Sequence, residues 1–321
     1  MKTATIIPNW NGQDYLEACI ESLLKQTAEH TIVVVENGSV DKSDEILAGY
    51  GNKIVVLKQS KNLGFAGGVN VGIKYAIDNN YDFVALFNND AIADKDWLRE
   101  LENAISGNAK LGAVTSKFMR LDQKRLDSTG DFYTWHGLPF PRGRNEIDKG
   151  QYDNKNEIFA ASGGASIFNI NMFKDIGLFD EDFFAYYEDV DLGFRMQLAG
   201  WKAEYCPSAM AYHHVSATGS KISGFGIYQT ASNFWYTFIK NMPGWLFIKY
   251  LPLALYWYGR MFLARFIRGD LWPYTKGFFR AVWFTPRTLA KRHRVQKTKK
   301  VRNYYIDSII VHSKAPRPPK L

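Results

Sequence analysis

The sequence predicts an α/β fold, a mainly parallel sheet flanked by helices, followed by a C-terminal amphipathic helical region. Three observations carry that reading. Apolar, often β-branched runs alternate with stretches of helical spacing through the first two thirds of the chain. Two segments in that part carry clustered acidic and amide residues, Asn88-Asn89-Asp90 and Glu188-Asp189-Val190-Asp191. Beyond Gly224 the composition changes to aromatics and aliphatics with isolated cations.

The elements follow in order. Residues 3–7 form a short apolar strand ended by Pro8. Residues 15–26 set Leu16, Cys19, Ile20, Leu23 and Leu24 on one helical face. Strands are expected at 31–35, 53–58, 81–87 and 111–118, with helices at 41–50, 66–79 and 94–106 between them. Strands and helices alternating at these lengths imply parallel pairing through crossovers. Residues 120–158 are polar and rich in Gly, Pro and Asp, an irregular excursion or hairpin of the kind that carries substrate contacts. Residues 161–173 return to the core, 184–199 read as a helix ended by Gly200, and 202–206 as a last strand before His213-His214.

At 321 residues the chain exceeds one average domain, and its hydrophobic content of 46% is ample for a core. We divide it into a catalytic body at 1–222, an amphipathic helical region at 223–302 and a basic, Pro-rich tail at 303–321. The charge is uneven: from Lys240 onward 18 Lys/Arg face two Asp, a net of +16, which leaves −8 for the preceding part. A basic tail on an acidic body points to an anionic partner. Residues 245–268 mix aromatics and aliphatics with Lys249, Pro252 and Arg260, and 222–239 carry Gln229, Thr230, Ser232 and Asn233. Neither supplies the roughly 20 mainly apolar residues of a spanning helix. Aromatics with interspersed cations suit a helix lying in the bilayer interface, and fit a membrane surface better than a nucleic acid. The run 291–300 and the segment 315–320 read as solvated and partly disordered. The two cysteines, Cys19 and Cys206, have no metal-ligand spacing, and the N-terminus begins as a strand and not as a leader. The expected location is cytoplasmic, peripheral on the inner face of the membrane.

Asp90 closes the apolar run 81–87, and ligands in open α/β sheets bind at strand carbonyl ends. A carboxylate there can hold a hard divalent cation together with phosphate oxygens; an Asx turn is the plainer use of the same residues. Glu188, Asp189 and Asp191 begin a helix among aromatics. Asp191 has Arg195 at i+4, which suits an ion pair, whereas Asp189 has no such partner. Of His213 and His214, adjacent on an extended segment, only one faces a given site. The Gly-rich stretch Asn62-Leu-Gly-Phe-Ala-Gly-Gly-Val-Asn70 opens a helix whose N–H groups can meet phosphate, or simply packs closely. Glu36-Asn37-Gly38-Ser39 follows the second strand, where a nucleotide edge could be read or a helix capped. Trp10, Trp135 and Trp201 could stack on sugars or pack.

Taken in order, these pieces resemble the inverting glycosyltransferases of family two, with the GT-A fold, and within it a rhamnosyltransferase-like branch. Ile6-Ile-Pro-Asn-Trp-Asn-Gly12 is similar to that family's first strand and loop, and Val33-Val-Val-Glu-Asn-Gly-Ser-Val-Asp41 to its nucleotide-binding turn. Asn62–Gly72, Leu86-Phe-Asn-Asn-Asp90, Gly163-Gly-Ala-Ser166, Glu188-Asp-Val-Asp191 and His213 with Ser216 resemble the rhamnosyltransferase-like branch. The resemblance implies donor contacts at Pro8, Asn9, Asn11, Glu36, Asn62, Gly67, Asn70, Asn88, Asn89 and Asp90. It makes Asp90 the metal-binding residue, although the first acidic position of its motif is Asn88 here, with His213 near the metal or diphosphate. It makes Asp189 the general base, with Glu188, Asp191 and Trp201 on the acceptor side or supporting it. The cofactor implied is Mg2+ or Mn2+. The donor implied is a dTDP- or UDP-linked sugar, dTDP-rhamnose first and a UDP-hexose second. The acceptor implied is a polyprenyl-diphosphate-linked saccharide in cell-surface polysaccharide synthesis. A sugar nucleotidyltransferase and a non-catalytic carbohydrate-binding membrane protein are the rival classes. The first should carry a Gly-rich cationic triphosphate loop where Asn9-Trp10-Asn11-Gly12 stands; the second has no need of both Asp90 and Asp189.

Overall fold

The computed structural model describes residues 1–214, 222–316 and 318–319. It begins as the sequence predicts: β1 (Thr3–Asn9), α1 (Leu16–Leu24), β2 (Thr31–Glu36), α2 (Ser43–Ala48), β3 (Val55–Lys58), α3 (Gly64–Asp78) and β4 (Phe83–Phe87). There follow β5 (Ala91–Ala93), α4 (Trp97–Ser106) and β6 (Leu111–Arg120), then four short strands, β7 (Leu126–Ser128), β8 (Asp131–Tyr133), β9 (Pro139–Pro141) and β10 (Glu157–Ile158). The body closes with β11 (Ala165–Asn169), α5 (Ile170–Ile176), α6 (Glu188–Leu198) and β12 (Lys202–His213). Four more helices follow: α7 (Phe225–Asn241), α8 (Gly244–Arg268), α9 (Leu271–Lys297) and α10 (Asn303–Ile309).

The sheet runs β10-β12-β6-β11-β4-β1-β2-β3, with β5 added to β12 and β7 to β6, while β8 and β9 form a separate hairpin. Its first half, β3-β2-β1-β4, is parallel throughout, as the alternation requires. The second half is mixed: β11 lies antiparallel between β4 and β6, while β12 is parallel to β6. The return of the chain from the 120–158 excursion sets the direction of β11, which no local pattern encodes. Close packing at Gly72 seats α3 on β1, since a Cβ there would lie 2.5 Å from Ile6 Cγ2.

Apolar residues of β1, β2 and β4 are almost wholly buried, with α1 and α4 on one face and α3 on the other. On α1, Leu16, Cys19, Ile20 and Leu23 point inward as expected, but Leu24 is exposed. A third core joins the body to the tail. Tyr133, Phe159, Phe183 and Phe194 pack with Phe234, Phe238, Leu246, Tyr258 and Tyr274 of the C-terminal helices and with Ile306 of α10.

One reading of the tail changes, that of the cationic run 291–300. Pro252 lies inside α8 without ending it. The cationic run that begins at Lys291 continues α9, where Lys291 pairs with Asp180 and Asp182, and Arg292 donates to the carbonyls of Ile239 and Met242. Further on, Ile306 and Ile310 are buried, and Val311 exchanges backbone bonds with Tyr133 and Trp135. Charge alone reads as solvated, but buried carboxylates and carbonyls elsewhere in the chain supply the partners. Among the described residues, no helix is long and apolar enough to cross a membrane. Instead α8 and α9 expose Ile248, Phe266, Ile267, Trp272, Phe279 and Trp283.

Candidate active site

A cavity of about 880 Å³ opens at the carbonyl ends of β1 and β4, roofed by the 120–158 excursion and the start of α6. Its lining includes Pro8, Asn9, Asn62, Asn88, Asn89, Asp90, Glu188, Asp189 and His213 among the predicted residues. It also includes Trp10, Asn37, Phe65, Asp127, Asp131, Arg144 and Gly163.

One end is built around Asp90. β12 runs on to His213, further than the sequence suggested, and pairs antiparallel with β5 so that His213 lies opposite Ala91. His213 Nε2 is then 3.1 Å from Asp90 Oδ1, and its ring stacks on Phe118. Its Nδ1 is 2.9 Å from Oδ2 of buried Asp127, which in turn accepts from Arg144 Nη2 at 3.1 Å. Burial alone would lower the His213 pKa, but bonding to Asp127 and Asp90 and their charges raise it to about 9. Burial would raise the Asp127 carboxyl, yet the His213 bond and the Arg144 charge hold it low. His214 faces elsewhere, its ring against Tyr15.

Asp90 fits a divalent cation that takes other ligands from phosphate oxygens, and His213 can join it once the cation displaces the proton that its nitrogen holds between the two carboxylates. The Asp127 bond fixes the imidazole and aims Nε2 at Asp90, the usual outer support of a ligating histidine. Among the described residues no group of three His, Cys, Asp or Glu is placed to hold a metal by itself. A cation here would take its remaining ligands from diphosphate oxygens and water.

The neighbouring wall is an amide network. Asn89 Nδ2 donates to Asn9 Oδ1 (2.8 Å), and Asn9 Nδ2 donates to Glu36 Oε2 (2.7 Å). Glu36 Oε1 accepts the Ser39 N–H at 2.8 Å. Asn37 Nδ2 donates to the Gly64 carbonyl (3.0 Å) and to Asn62 Oδ1 (3.2 Å). These bonds rigidify the loops after β1 and β2 against the start of α3. Glu36 is buried within that network and orders the wall from behind. Asn11 Oδ1 accepts the Val40 N–H, tying the same two loops together.

The other end holds Asp189, whose carboxylate accepts N–H bonds from Val190 at 2.8 Å and from Gly163. Burial raises its pKa above the usual value, and these bonds oppose the rise. Glu188 and Asp131 are pushed well above the ordinary range by burial and by the charge of Asp189. Glu188 also leaves Oε2 buried and unpartnered. Crowding of three carboxylates thus disfavours ionising all of them, and the two N–H bonds favour the charge on Asp189.

Several predicted residues are not brought to the cavity. Asp191 is fully buried in ion pairs with Arg195 (2.9 Å) and Lys240 (2.8 Å), and accepts from Asn241, so it braces the helix instead of meeting an acceptor. Asn70 clamps the Phe179 backbone through both amide atoms. Trp201 donates to Asp175 and packs on the second core. Gly67 lies within α3 against Leu63. Ser216 lies outside the described residues. Conversely, Asp127, Asp131 and Arg144 lie in the excursion that the sequence marks as a contact region, but nothing in the sequence singles them out. They lie on short strands or in turns with no period to expose them, and only their delivery to the cavity sets them apart.

Comparison with known proteins fits this arrangement. Poly-beta-1,6-N-acetyl-D-glucosamine synthase of Staphylococcus aureus (strain MSSA476) is 24% identical over 212 residues, which cover 65% of this chain and 49% of that protein. The chain thus spans about half the length of such relatives. S. aureus TarS 1-349 in complex with UDP superposes with a TM-score of 0.56 at 18% identity, covering 95% of this chain and 89% of that one. The mannosyltransferase PcManGT of Pyrobaculum calidifontis, in complex with GDP-Man and Mn2+, gives 0.54 at 15% identity, covering 92% and 85%. The likeness to these two structures is one of fold, the GT-A arrangement. The family model of glycosyl transferase family 2 matches residues 4–177. More than half of the chain, including nearly all of β1, the amide network and Asp90, thus lies within that match, and the chain belongs to glycosyl transferase family 2.

Proposed function

We propose that this chain is an inverting glycosyltransferase that moves a sugar from a nucleoside-diphosphate donor to an acceptor hydroxyl. The observation that carries the reading is one cavity with Asp90 and His213 at one end and Asp189 at the other. The donor would lie along the Asn9–Asn89–Asn37 wall, its diphosphate toward Asp90. Mg2+ or Mn2+, held by Asp90, His213 and diphosphate oxygens, would neutralise charge on the leaving group. Asp189 takes the proton of the acceptor hydroxyl as that oxygen bonds to the anomeric carbon. The bond to the diphosphate oxygen breaks in the same displacement. Attack from the face opposite the leaving group inverts the centre, so base and diphosphate must lie on opposite sides of the sugar.

The likeness to an N-acetylglucosamine polymer synthase favours a UDP-linked hexose over dTDP-rhamnose as donor. We further propose that the acceptor is a lipid-linked saccharide, reached with α8 and α9 lying in the membrane interface. Exposed Phe266, Ile267, Trp272, Phe279 and Trp283 supply apolar burial, and Arg260, Arg268 and Lys276 supply attraction to anionic lipid. Division at about residue 222 follows the same reading. The test is protection against thermal unfolding by UDP-GlcNAc, UDP-glucose and dTDP-rhamnose, each with and without Mn2+. Metal-dependent protection by a nucleotide sugar is expected, with UDP donors leading. No protection by any nucleotide sugar would overturn the reading, and a lead by dTDP-rhamnose would overturn the donor assignment.

A further inference from the structure

We propose that Asn233, on α7, is a positioning residue for the Asp189 carboxylate, because it holds the backbone from which the helix carrying Asp189 is launched. Phe184, Tyr186 and Tyr187 have φ of 63°, 65° and 73°. Three residues with a Cβ thus occupy the left-handed region within four positions, immediately before Glu188 and Asp189. Such a backbone persists only where its surroundings over-determine it. The fully buried amide of Asn233 does this: Nδ2 points at three carbonyls, Phe183 (3.0 Å), Ala185 (2.9 Å) and Tyr186 (2.7 Å). Its orientation is set in turn, since Oδ1 accepts the Ser232 hydroxyl at 3.1 Å.

The opposite side of the loop rests on α3. The Phe184 carbonyl accepts the Ala66 N–H, and a Cβ at Gly64 would lie 2.4 Å from that oxygen. The loop is therefore clamped between the donor-side helix α3 and α7. Ion pairs further back, Lys240 and Lys291 with Asp180 and Lys291 with Asp182, hold the stretch that leads into it. Tyr186 and Tyr187 themselves line the cavity beside Asp189, away from the Asn9–Asn89 wall, so movement there shifts that side of the cavity and Asp189.

This inference rests on the proposed role of Asp189 as base, and the test separates the two. In the full-length protein, Asn233→Ala should lower kcat by about 10²-fold, the scale expected for a misplaced reacting group. Donor protection against unfolding and the donor KM should stay within about twofold, because the wall from Asn9 to Asn89 is untouched. In an Asp189→Asn background the same substitution should cost nothing further, since a residue that acts through Asp189 is not additive with it. If Asn233→Ala does not fold, Asn233→Ser retains one donor and should show a smaller loss of the same kind. Equal losses in both backgrounds, a parallel loss of donor binding, or unchanged kcat would each overturn the proposal. Normal turnover by Asp189→Asn alone would overturn the base assignment, and the proposal with it.

Discussion

Replacing Lys240 with methionine should destabilise the protein by about 2–4 kcal/mol. Lys240 Nζ lies 2.6 Å from Asp180 and 2.8 Å from Asp191, and Asp191 is fully buried. Removing one partner of a buried pair typically costs ~3–5 kcal/mol, because the other charge is stranded. Here the carboxylates are not wholly stranded: Asp191 keeps Arg195 and Asn241, and Asp180 keeps Lys291. That brings the cost down to about 2–4 kcal/mol. For a chain of this size it corresponds to a fall in unfolding midpoint of roughly 4–10 °C. Lys58→Met is the control, since its pair with Asp44 is largely exposed and should contribute nothing measurable. The effect should depend on pH in a fixed direction. Burial alone would raise the carboxyls of Asp180 and Asp191, but Lys240 and its neighbours hold them below their ordinary values. Their stabilisation is present above the unfolded value of about 3.9 and is lost as pH falls through the folded values. The gap between wild type and variant should therefore narrow below about pH 4. An unchanged midpoint near neutrality, or a gap that widens on acidification, would refute the reasoning.

Further outcomes are expected. Asp189→Asn should lower turnover by ~10²–10⁴-fold with donor protection retained. Because burial raises the Asp189 carboxyl, wild-type kcat should climb with pH through an apparent value above the ordinary carboxylate range, a limb absent from the variant; stopped-time assays from pH 4 to 8 would reveal it. Asp90→Ala should abolish Mn2+-dependent strengthening of UDP binding in titration calorimetry, and an unchanged Mn2+ dependence would reduce Asp90 to a turn residue. Asp127→Asn should weaken the same Mn2+ effect by ~10–100-fold without contacting the ion, since it only orients His213. Phe279→Glu with Trp283→Glu, both exposed on α9, should reduce sedimentation with anionic liposomes while leaving the unfolding midpoint nearly unchanged. Full retention on liposomes would argue against the interfacial reading. Truncation before Gly244 is not a clean alternative, because it removes Leu246, Tyr258, Tyr274 and Ile306 from a core shared with Phe183 and Phe194. Such a truncation should yield aggregated protein and not a released catalytic body.

Local pattern was enough for the first half of the fold. Strands β1, β2 and β4 are β-branched and apolar runs, α1 shows its buried stripe, and the parallel order follows from crossovers that can be made in only one sensible way. Asp90 and Asp189 stood out as carboxylates in apolar company, and placement at strand and helix ends is a local property. The identity of their partners is not. Asp127 meets His213 across 86 positions, Asn233 meets the 183–186 carbonyls across about 50, and Lys291 meets Asp180 across 111. These pairings depend on the direction of β11, the extension of β12 and the docking of α7–α9 on the body. They are settled by burial and by the need to satisfy each buried polar group, not by periodicity. The same demand explains why Asp191, Asn70 and Trp201, plausible site residues by composition, are consumed in bracing the structure. Sequence alone therefore determined that this protein is an α/β enzyme-like body with acidic points at its element ends. Tertiary structure decided which acids face the cavity, which are neutralised behind it, and that the basic tail helps to hold the loop leading to Asp189, because a charge can be kept out of water only where distant segments bring it a partner.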